Sequence, residues 1–244
     1  MSTDIHTLLF GYFPYIAVAV LVVGSIMRFN ADQFTWRSGS SQLLRRKQLR
    51  WGSNLFHVGV LIIFIGHLFG LLVPIEVYDF FGIGHTFKQL FAMTLGGIAG
   101  LMALAGATLL LNRRLTDPRI RRQTQRADLA ILVLLYVQLV LGMLTIPFSA
   151  QHLDGSMMIV FMEWAQGILT FQEGLGEMIQ PAPLVFKIHL TLGLLVFLVF
   201  PFTRLVHALS APVWFLGRTG FQIVRSRHPQ GRRGTASRTA RPTS

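Results

Sequence analysis

Long apolar stretches, separated by short polar and charged stretches, dominate the pattern of this chain. A helix rises 1.5 Å per residue, so about 20 apolar residues cross the roughly 30 Å hydrocarbon core of a bilayer. Five stretches approach or exceed that length, near residues 10–27, 52–73, 90–111, 128–147 and 184–209, and the first is the shortest. The pattern predicts an all-α membrane protein with five transmembrane helices.

Basic residues are concentrated in alternate loops. The connections after the first and third apolar stretches and the chain from Arg204 onward are rich in Arg and Lys, whereas the intervening connections contain only Lys88 and Lys187. Because basic loops remain in the cytoplasm, the N-terminus is predicted outside and the C-terminus inside. The net charge of +12 lies between apolar spans, so it favours anionic lipid and an acidic cytoplasmic partner over nucleic acid.

Composition narrows the chemistry further. With 52% hydrophobic and 13% charged residues, the chain is far from a soluble globular profile. The absence of cysteine excludes covalent haem attachment, Cys-ligated iron-sulfur clusters and disulfides. No phosphate-binding glycine motif is present. No Lys or Arg precedes Arg28, so the first stretch is expected to be retained rather than cleaved as a signal peptide.

Four histidines lie inside the apolar stretches. His57 and His67 belong to the second, and His189 and His207 belong to the fifth. Polar side chains at membrane depth are costly and usually functional. Antiparallel spans place His67 with His189 near the outer face (the outer pair) and His57 with His207 near the cytoplasmic face (the inner pair). Each pair predicts a bis-histidine b-type haem suited to electron transfer, in a dihaem bundle formed by helices two to five.

The axial spacings of the two pairs do not match in straight helices. Ten residues separate the histidines of the second stretch, about 15 Å, whereas eighteen residues separate those of the fifth, about 27 Å. Helix tilt, slanted haems and a bend at Pro201 are expected to absorb the difference, because proline lacks an amide hydrogen. Pairing His57 with His189 fits the spacing far less well. Histidines that merely hydrogen-bond across helices remain an alternative.

Small and basic residues near these histidines suit a bound haem. The glycines Gly59, Gly66, Gly70 and Gly193 would let a flat macrocycle approach the backbone, although small residues equally mark helix contacts in membranes. Haem propionates need cationic partners, and Arg113 and Arg114 at the cytoplasmic end of the third stretch are candidates for the inner haem. A purely topological role for this arginine pair remains open.

Three segments carry a family resemblance: GYFPYIAVAVLVVGSIMRFNADQFTWRSGSSQLLRRK, SNLFHVGVLIIFIGHLFG and LTIPFSAQHLDGSMM. They resemble the gamma, or cytochrome b, subunit of membrane-bound respiratory nitrate reductase, from about Tyr12 to His228. The resemblance implies a subunit of the bacterial cytoplasmic (inner) membrane that oxidises quinol at its outer face. Two b haems pass the electrons to an iron-sulfur beta subunit and then to a molybdenum-containing alpha subunit that reduces nitrate, which contributes to the proton-motive force.

The resemblance also implies residue roles. His67 and His189 match the ligands of the family's distal haem, and His57 and His207 match those of its proximal haem. The family uses a lysine at the start of the third span in its quinol site, and Lys88 occupies the matching place. The preceding stretch, PIEVYDFFGIGHTF, is one residue longer than the family pattern. Lys88 is also the only cation of its outer loop, although an interfacial lysine can simply extend to the headgroups.

Two segments lie outside the spans. Residues 148–183 are too long for a simple turn, and MMIVFMEWAQGILTF within them predicts a short interfacial helix with Trp164 at headgroup depth, which covers the quinol entrance or shields the bundle. Residues 1–228 are predicted to form the five-span domain. Residues 229–244 are rich in Arg, Pro, Gly, Ser and Thr and predict a disordered cytoplasmic tail.

Two other functions remain open from the sequence. One is the dihaem, quinone-linked cytochrome b anchor of a different reductase, of the heterodisulfide or sulfur-cycle type. The other is a non-enzymatic membrane bundle, such as a channel or an assembly scaffold. A haem spectrum distinguishes the scaffold from both cytochromes, and the co-purifying subunits distinguish the two cytochromes.

Overall fold

The chain folds entirely into helices and connecting loops over the residues that the computed structural model describes, which are 4–31, 44–151 and 153–210. A π-helical turn precedes α1, and two 3₁₀ segments follow α9. The elements are the π-helical turn Thr7–Tyr12, α1 Phe13–Ala31, α2 Arg46–Leu72, α3 Ile75–Phe80, α4 His85–Thr116, α5 Pro118–Gln123, α6 Arg126–Ser149, α7 Ser156–Leu169, α8 Leu175–Ile179, α9 Leu184–Val199, and the 3₁₀ segments Phe200–Phe202 and Arg204–Ser210. The tail predicted for residues 229–244 lies outside the described residues.

Five of these helices are long and apolar enough to cross a membrane: α1 with its preceding turn, α2, α4, α6 and α9 with the first 3₁₀ turn. Only 6–28% of the residues in the most apolar stretch of each helix are buried inside the protein, so most of the apolar surface of these helices faces outward. Phe64 and Leu101, for example, are more than half exposed. Apolar surface of this extent is expected to face lipid. The predicted five-helix architecture is confirmed, and the protein is a multi-pass membrane protein.

The spans pack in a defined order. Helix α2 packs on α4, α4 on α6, α6 on α9, and α9 on α1, while α7 lies against the far end of α2. Small residues set the closest contact: a Cβ added at Gly59 would lie 2.6 Å from both the Ala99 oxygen and the Ala103 nitrogen. The sequence pattern suggested that Gly59 makes room beside a haem. In the structure, Gly59 instead allows the close contact between α2 and α4. Helices α2 and α9, which carry three of the four histidines, have no comparable backbone packing between them.

The fifth span ends earlier than predicted. The expected stretch was 184–209, but α9 ends at Val199, Pro201 lies in a 3₁₀ turn, and Thr203 is extended with φ −119° and ψ 177°. Arg28 of α1 donates to the carbonyl oxygens of Pro201 and Thr203, at 2.7 and 2.8 Å. These bonds satisfy carbonyls that the break leaves outside the helix ladder. The predicted bend is thus a full break, after which a separate segment carries His207.

The helix predicted within 148–183 forms as α7, but Trp164 is only 4% exposed. Its indole Nε1 donates to the Phe10 carbonyl oxygen at 2.9 Å. The two rings meet edge to face, in a buried cluster with Ala17 and Ile179. Trp164 therefore fixes α7 to the start of α1 and packs inside the protein, not against lipid. The buried partner far along the chain decides its position.

Candidate functional site

The four histidines predicted as haem ligands meet as two pairs. The ring centres of His67 and His189 are 6.4 Å apart with their planes 45° to each other. The ring centres of His57 and His207 are 6.1 Å apart with their planes 69° to each other. These are the outer and inner pairs that the topology predicts. The break after α9 permits both at once, because it frees His207 from the straight-helix spacing to His189.

The separations match imidazoles bound to opposite sides of one metal ion. Two metal–nitrogen bonds of about 2 Å, plus the two ring radii, place ring centres about 6 Å apart. Each pair offers only two nitrogen donors, and no group of three or more His, Cys, Asp and Glu close enough for a metal occurs in the described parts of the chain. A porphyrin supplies the four remaining donors, so its iron suits such a pair better than a bare ion does.

Backbone carbonyls fix the tautomer of three of the four imidazoles. His57 Nδ1 lies 2.7 Å from the Ser53 carbonyl oxygen, and His67 Nδ1 lies 2.8 Å from that of Ile63. His207 Nδ1 contacts the carbonyl oxygen of Arg204 in the same way. Because a carbonyl only accepts, each Nδ1 carries the hydrogen and Nε2 keeps a free electron pair. Ligating histidines are commonly oriented by such bonds.

His189 differs from the other three. Its Nδ1 is buried and has no hydrogen-bond partner among the described residues. The ring lies against Gly142 of α6, where an added Cβ would come within 3.1 Å of Cε1. One turn earlier on α6, Gln138 Nε2 donates to the His189 backbone oxygen at 3.1 Å. The side of His189 that faces α6 is therefore enclosed by one helix.

Open space lies beside part of α2, the helix that carries two of the histidines. An added Cβ at Gly66 or Gly70 would meet no heavy atom within 4 Å, in contrast to Gly59. At Gly193 of α9 an added Cβ would lie 3.2 Å from Gln138 Nε2. Gly66 and Gly70 thus fit the predicted approach of a flat group, and Gly193 makes room for the Gln138 side chain.

Charged residues gather near the inner pair. The Arg204 carbonyl oxygen accepts the hydrogen bond from His207 Nδ1, and the Arg204 side chain pairs with Asp128 at 3.5 Å. Arg114 interacts electrostatically with both Arg204 and Asp128. The neighbouring Arg113 is 2% exposed and donates to the Leu44 carbonyl oxygen at 2.7 Å. Arg113 thus holds the start of α2, which leaves Arg114 as the arginine of this pair closer to the predicted propionate role.

Lys88 is buried at the start of α4, with 7% of the residue exposed. Its Nζ lies 2.8 Å from Met162 Sδ of α7 and 3.8 Å from the centre of the Tyr78 ring. The Tyr78 hydroxyl donates to the Phe69 carbonyl oxygen at 2.9 Å, two residues beyond His67. Lys88 therefore does not extend to the headgroups. A thioether is a weak acceptor, so the ammonium keeps donor capacity for a stronger partner.

Burial favours the protonated, hydrogen-bond-donating form of Tyr78. Burial raises the pKa of the Tyr78 hydroxyl above its ordinary value, so the hydroxyl stays protonated at neutral pH.

The remaining histidines lie outside the two pairs. His85, one turn before Lys88, bonds Asp79 through Nε2 at 2.9 Å, and both side chains are exposed. His6 similarly meets Asp4 at 3.1 Å. His152 and His228 lie outside the described residues.

Three residues of this site were not singled out from the sequence. Tyr78 and Met162 enclose Lys88, and Gln138 reaches His189, yet each is separated from its partner in the chain or resembles ordinary core or loop composition. A glutamine inside an apolar span is the one feature that sequence analysis can single out, because a buried amide needs a partner.

The chain matches the family described as nitrate reductase gamma subunit over residues 6–227. It is 48% identical over 219 residues to the respiratory nitrate reductase 1 gamma chain of Escherichia coli, covering 90% of this chain and 96% of that one. It is 47% identical over 227 residues to the respiratory nitrate reductase 2 gamma chain of the same organism, covering 93% and 100%. The nitrate reductase gamma chain of Bacillus subtilis is 35% identical over 220 residues, covering 90% and 98%.

Proposed function

The chain belongs to the nitrate reductase gamma subunit family, and from that premise we propose that it is the membrane cytochrome b that oxidises quinol for a respiratory nitrate reductase. The observation that carries the proposal is the pair of imidazole separations, 6.4 Å for the outer pair and 6.1 Å for the inner pair. In this proposal His67 and His189 hold one b haem, and His57 and His207 hold the other. Arg114 is the proposed partner of the inner haem's propionates.

The bound groups would supply one-electron transfer without an open coordination position, carrying electrons from the outer pair toward the inner pair. The protein's own part is orientation. Carbonyl bonds at Ser53, Ile63 and Arg204 hold three imidazoles with Nε2 available. The break at Pro201, secured by Arg28, gives His207 its position opposite His57.

Lys88 is the proposed quinol-binding residue. It lies beneath α7 and α3, where Met162 and Tyr78 surround its ammonium group. A quinone oxygen is a much stronger acceptor than a thioether, so it can displace Met162 from Lys88. The bond from Tyr78 to Phe69 connects this lysine to the stretch of α2 that carries His67, which brings substrate binding close to the outer pair.

The proposed topology makes the reaction conserve energy. Oxidation of one quinol to quinone releases two electrons and two protons, and the protons leave at the outer face. Moving each electron inward opposes a potential that is negative inside, at roughly 2.3 kcal/mol per 100 mV. Part of the driving force of nitrate reduction is then stored as proton-motive force. The site is proposed to lie in the bacterial cytoplasmic (inner) membrane.

The proposed partners follow from the same scheme. An iron-sulfur beta subunit receives the electrons at the basic end of the bundle, and a molybdenum-containing alpha subunit reduces nitrate. Anionic lipid is the further proposed partner of the arginine-rich loops, in which Arg119, Arg121 and Arg122 are exposed.

Pigment content tests this function directly. Membranes containing the full chain with its partner subunits are expected to yield two b haems per polypeptide, visible in a reduced-minus-oxidised optical spectrum, together with co-purifying molybdenum and iron-sulfur subunits. A colourless purified chain would overturn the cytochrome assignment. Two haems with an unrelated cytoplasmic partner would instead overturn the nitrate reductase assignment.

A further inference from the structure

Met162 of α7 occupies the position beside Lys88 where a charged acceptor is usual. The Lys88 ammonium lies 2.8 Å from Met162 Sδ, and Met162 is 1% exposed. Buried ammonium groups are normally paired with a carboxylate. Glu163, the next residue of α7, is exposed, and no ion pair joins it to Lys88 in the described parts of the chain. Asp79 interacts electrostatically with Lys88, but its carboxylate is bonded to His85 at 2.9 Å.

The two groups that enclose the ammonium are held to different degrees. Tyr78, whose ring centre lies 3.8 Å from Lys88 Nζ, is fixed by its hydroxyl bond to the Phe69 carbonyl oxygen. The Met162 side chain is unbranched and flexible, and over the described residues its sulfur has a hydrogen bond to Lys88 alone. An acceptor that approaches Lys88 therefore displaces the sulfur more readily than the ring.

Helix α7 itself is anchored on two sides. The Trp164 indole donates to the Phe10 carbonyl oxygen at 2.9 Å, which ties α7 to the start of α1. Gln166 Nε2 donates to the Leu71 carbonyl oxygen at 3.2 Å, which ties α7 to the end of α2. Met162 is therefore expected to leave Lys88 by a change of rotamer, while the helix stays in place.

We infer that Met162 sets the affinity of the quinol site, because its sulfur occupies Lys88 in the free protein and competes with the oxygen of a quinol or quinone headgroup for the same ammonium. This inference rests on the proposed function, in which Lys88 binds quinol. Binding exchanges a weak hydrogen bond for a stronger one, so the affinity reports the difference between them. The sulfur returns to Lys88 as the quinone product departs, which favours product release.

Met162→Leu tests the inference, because it removes the acceptor and keeps a similar volume. In the assembled complex in its native membranes, the KM for tetramethylhydroquinone in quinol-driven nitrate reduction is expected to fall about 2- to 10-fold, the weight of one weak hydrogen bond. The inhibition constant of the corresponding quinone should fall with it, since its carbonyl oxygen accepts from the same ammonium. Activity with an artificial donor that bypasses this subunit should not change.

Met157→Leu is the matched control, because Met157 lies on the same helix but packs against the buried cluster of Phe10 and Trp164. Its KM should equal that of the wild type. In a Lys88→Ala background, Met162→Leu should leave the KM unchanged, since the sulfur then has no ammonium to occupy. An unchanged or raised KM in Met162→Leu with Lys88 present, or an equal fall in both backgrounds, would overturn the inference.

Met162→Gln is expected to give the opposite sign. An amide oxygen is a stronger acceptor than a thioether, so it holds Lys88 more firmly and the KM should rise. If Met162→Leu does not assemble, Met162→Gln decides: a KM at or below that of the wild type contradicts the inference. A wild-type complex that lacks haem or does not oxidise the quinol would refute the proposed function instead, so the two failures are distinguishable.

Discussion

At the scale of single residues, the four histidines are equivalent in type but differ in their surroundings. His57 and His67 both lie on α2, each bonded to the carbonyl one turn earlier. His207 lies in a 3₁₀ segment beyond a helix break, and His189 lies against the glycine of another helix. Within each pair, the two imidazoles are thus held by different structural elements. The two pairs have in common only a similar distance between ring centres.

The pairing makes a specific prediction for single substitutions. His67→Ser and His189→Ser are expected to lose the same haem, and His57→Ser and His207→Ser the other, because each iron needs both of its ligands. Each variant should retain about one haem per chain, measured by pigment extraction and by the optical spectrum. His85→Ser, outside both pairs and bonded to Asp79, is the control and should keep two. Different spectra from His67→Ser and His189→Ser would contradict the pairing.

Lys88 and Lys187 form a matched pair for testing the quinol site. Lys88→Ala is expected to reduce quinol-driven nitrate reduction about 10- to 100-fold, the loss of one charge-assisted hydrogen bond of about 1.5–3 kcal/mol. Activity with an artificial donor that bypasses this subunit should not change. Lys187 donates to the Gln180 carbonyl at 2.6 Å on the same side of the predicted membrane, and Lys187→Ala should retain quinol-driven activity. Equal losses in both variants would contradict a specific role for Lys88.

Which residues could be predicted from sequence follows from how far their partners lie along the chain. The histidines could be found because an imidazole is conspicuous in an apolar span and because antiparallel topology fixes which depths coincide. Tyr78, Met162 and Gln138 could not, because their partners lie on other elements and side-chain packing decides the contact. The buried packing of Trp164 could not be predicted for the same reason: its partner, Phe10, is 154 positions away.

At the scale of elements, the spans were predictable because the bilayer sets their length and polarity, whereas helix ends depend on particular contacts. The break after Val199 is an example. Pro201 was recognised as a bend, but the extended Thr203 and the separate segment Arg204–Ser210 require the two hydrogen bonds from Arg28. A charged side chain on α1 thus determines where α9 stops and where His207 lies.

The α2–α4 contact leads to a stability prediction. Gly59→Ala is expected to destabilise the subunit by about 1–3 kcal/mol, because its Cβ would overlap the Ala99 oxygen and the Ala103 nitrogen, which are backbone atoms and cannot rotate away. The measurement is the thermal midpoint of the detergent-solubilised complex. Gly97→Ala on α4 is the control: its Cβ would lie 3.5 Å from Ile146, an ordinary contact, and should change stability little. A Gly59→Ala midpoint equal to that of Gly97→Ala would show that the helices do not approach so closely.

At the scale of the whole molecule, the two ends of the bundle differ in composition. One end holds the start of α2, the connection through α5 and Arg204, and is rich in arginine. The other end holds α3, α7, α8 and the enclosed Lys88. If the basic end faces the cytoplasm, quinol protons leave outside while electrons leave inside. Orientation therefore decides whether the same chemistry conserves energy.

The absence of cysteine from the chain makes this orientation directly measurable, because a single introduced thiol has no background. Glu173→Cys, exposed beside α8, is expected to react with a membrane-impermeant maleimide in spheroplasts. Arg121→Cys, exposed on α5, should react only after the membrane is opened and the partner subunits are removed. The reverse labelling would place Lys88 on the cytoplasmic side. Quinol protons would then be released where nitrate reduction consumes them, and no proton-motive force would result.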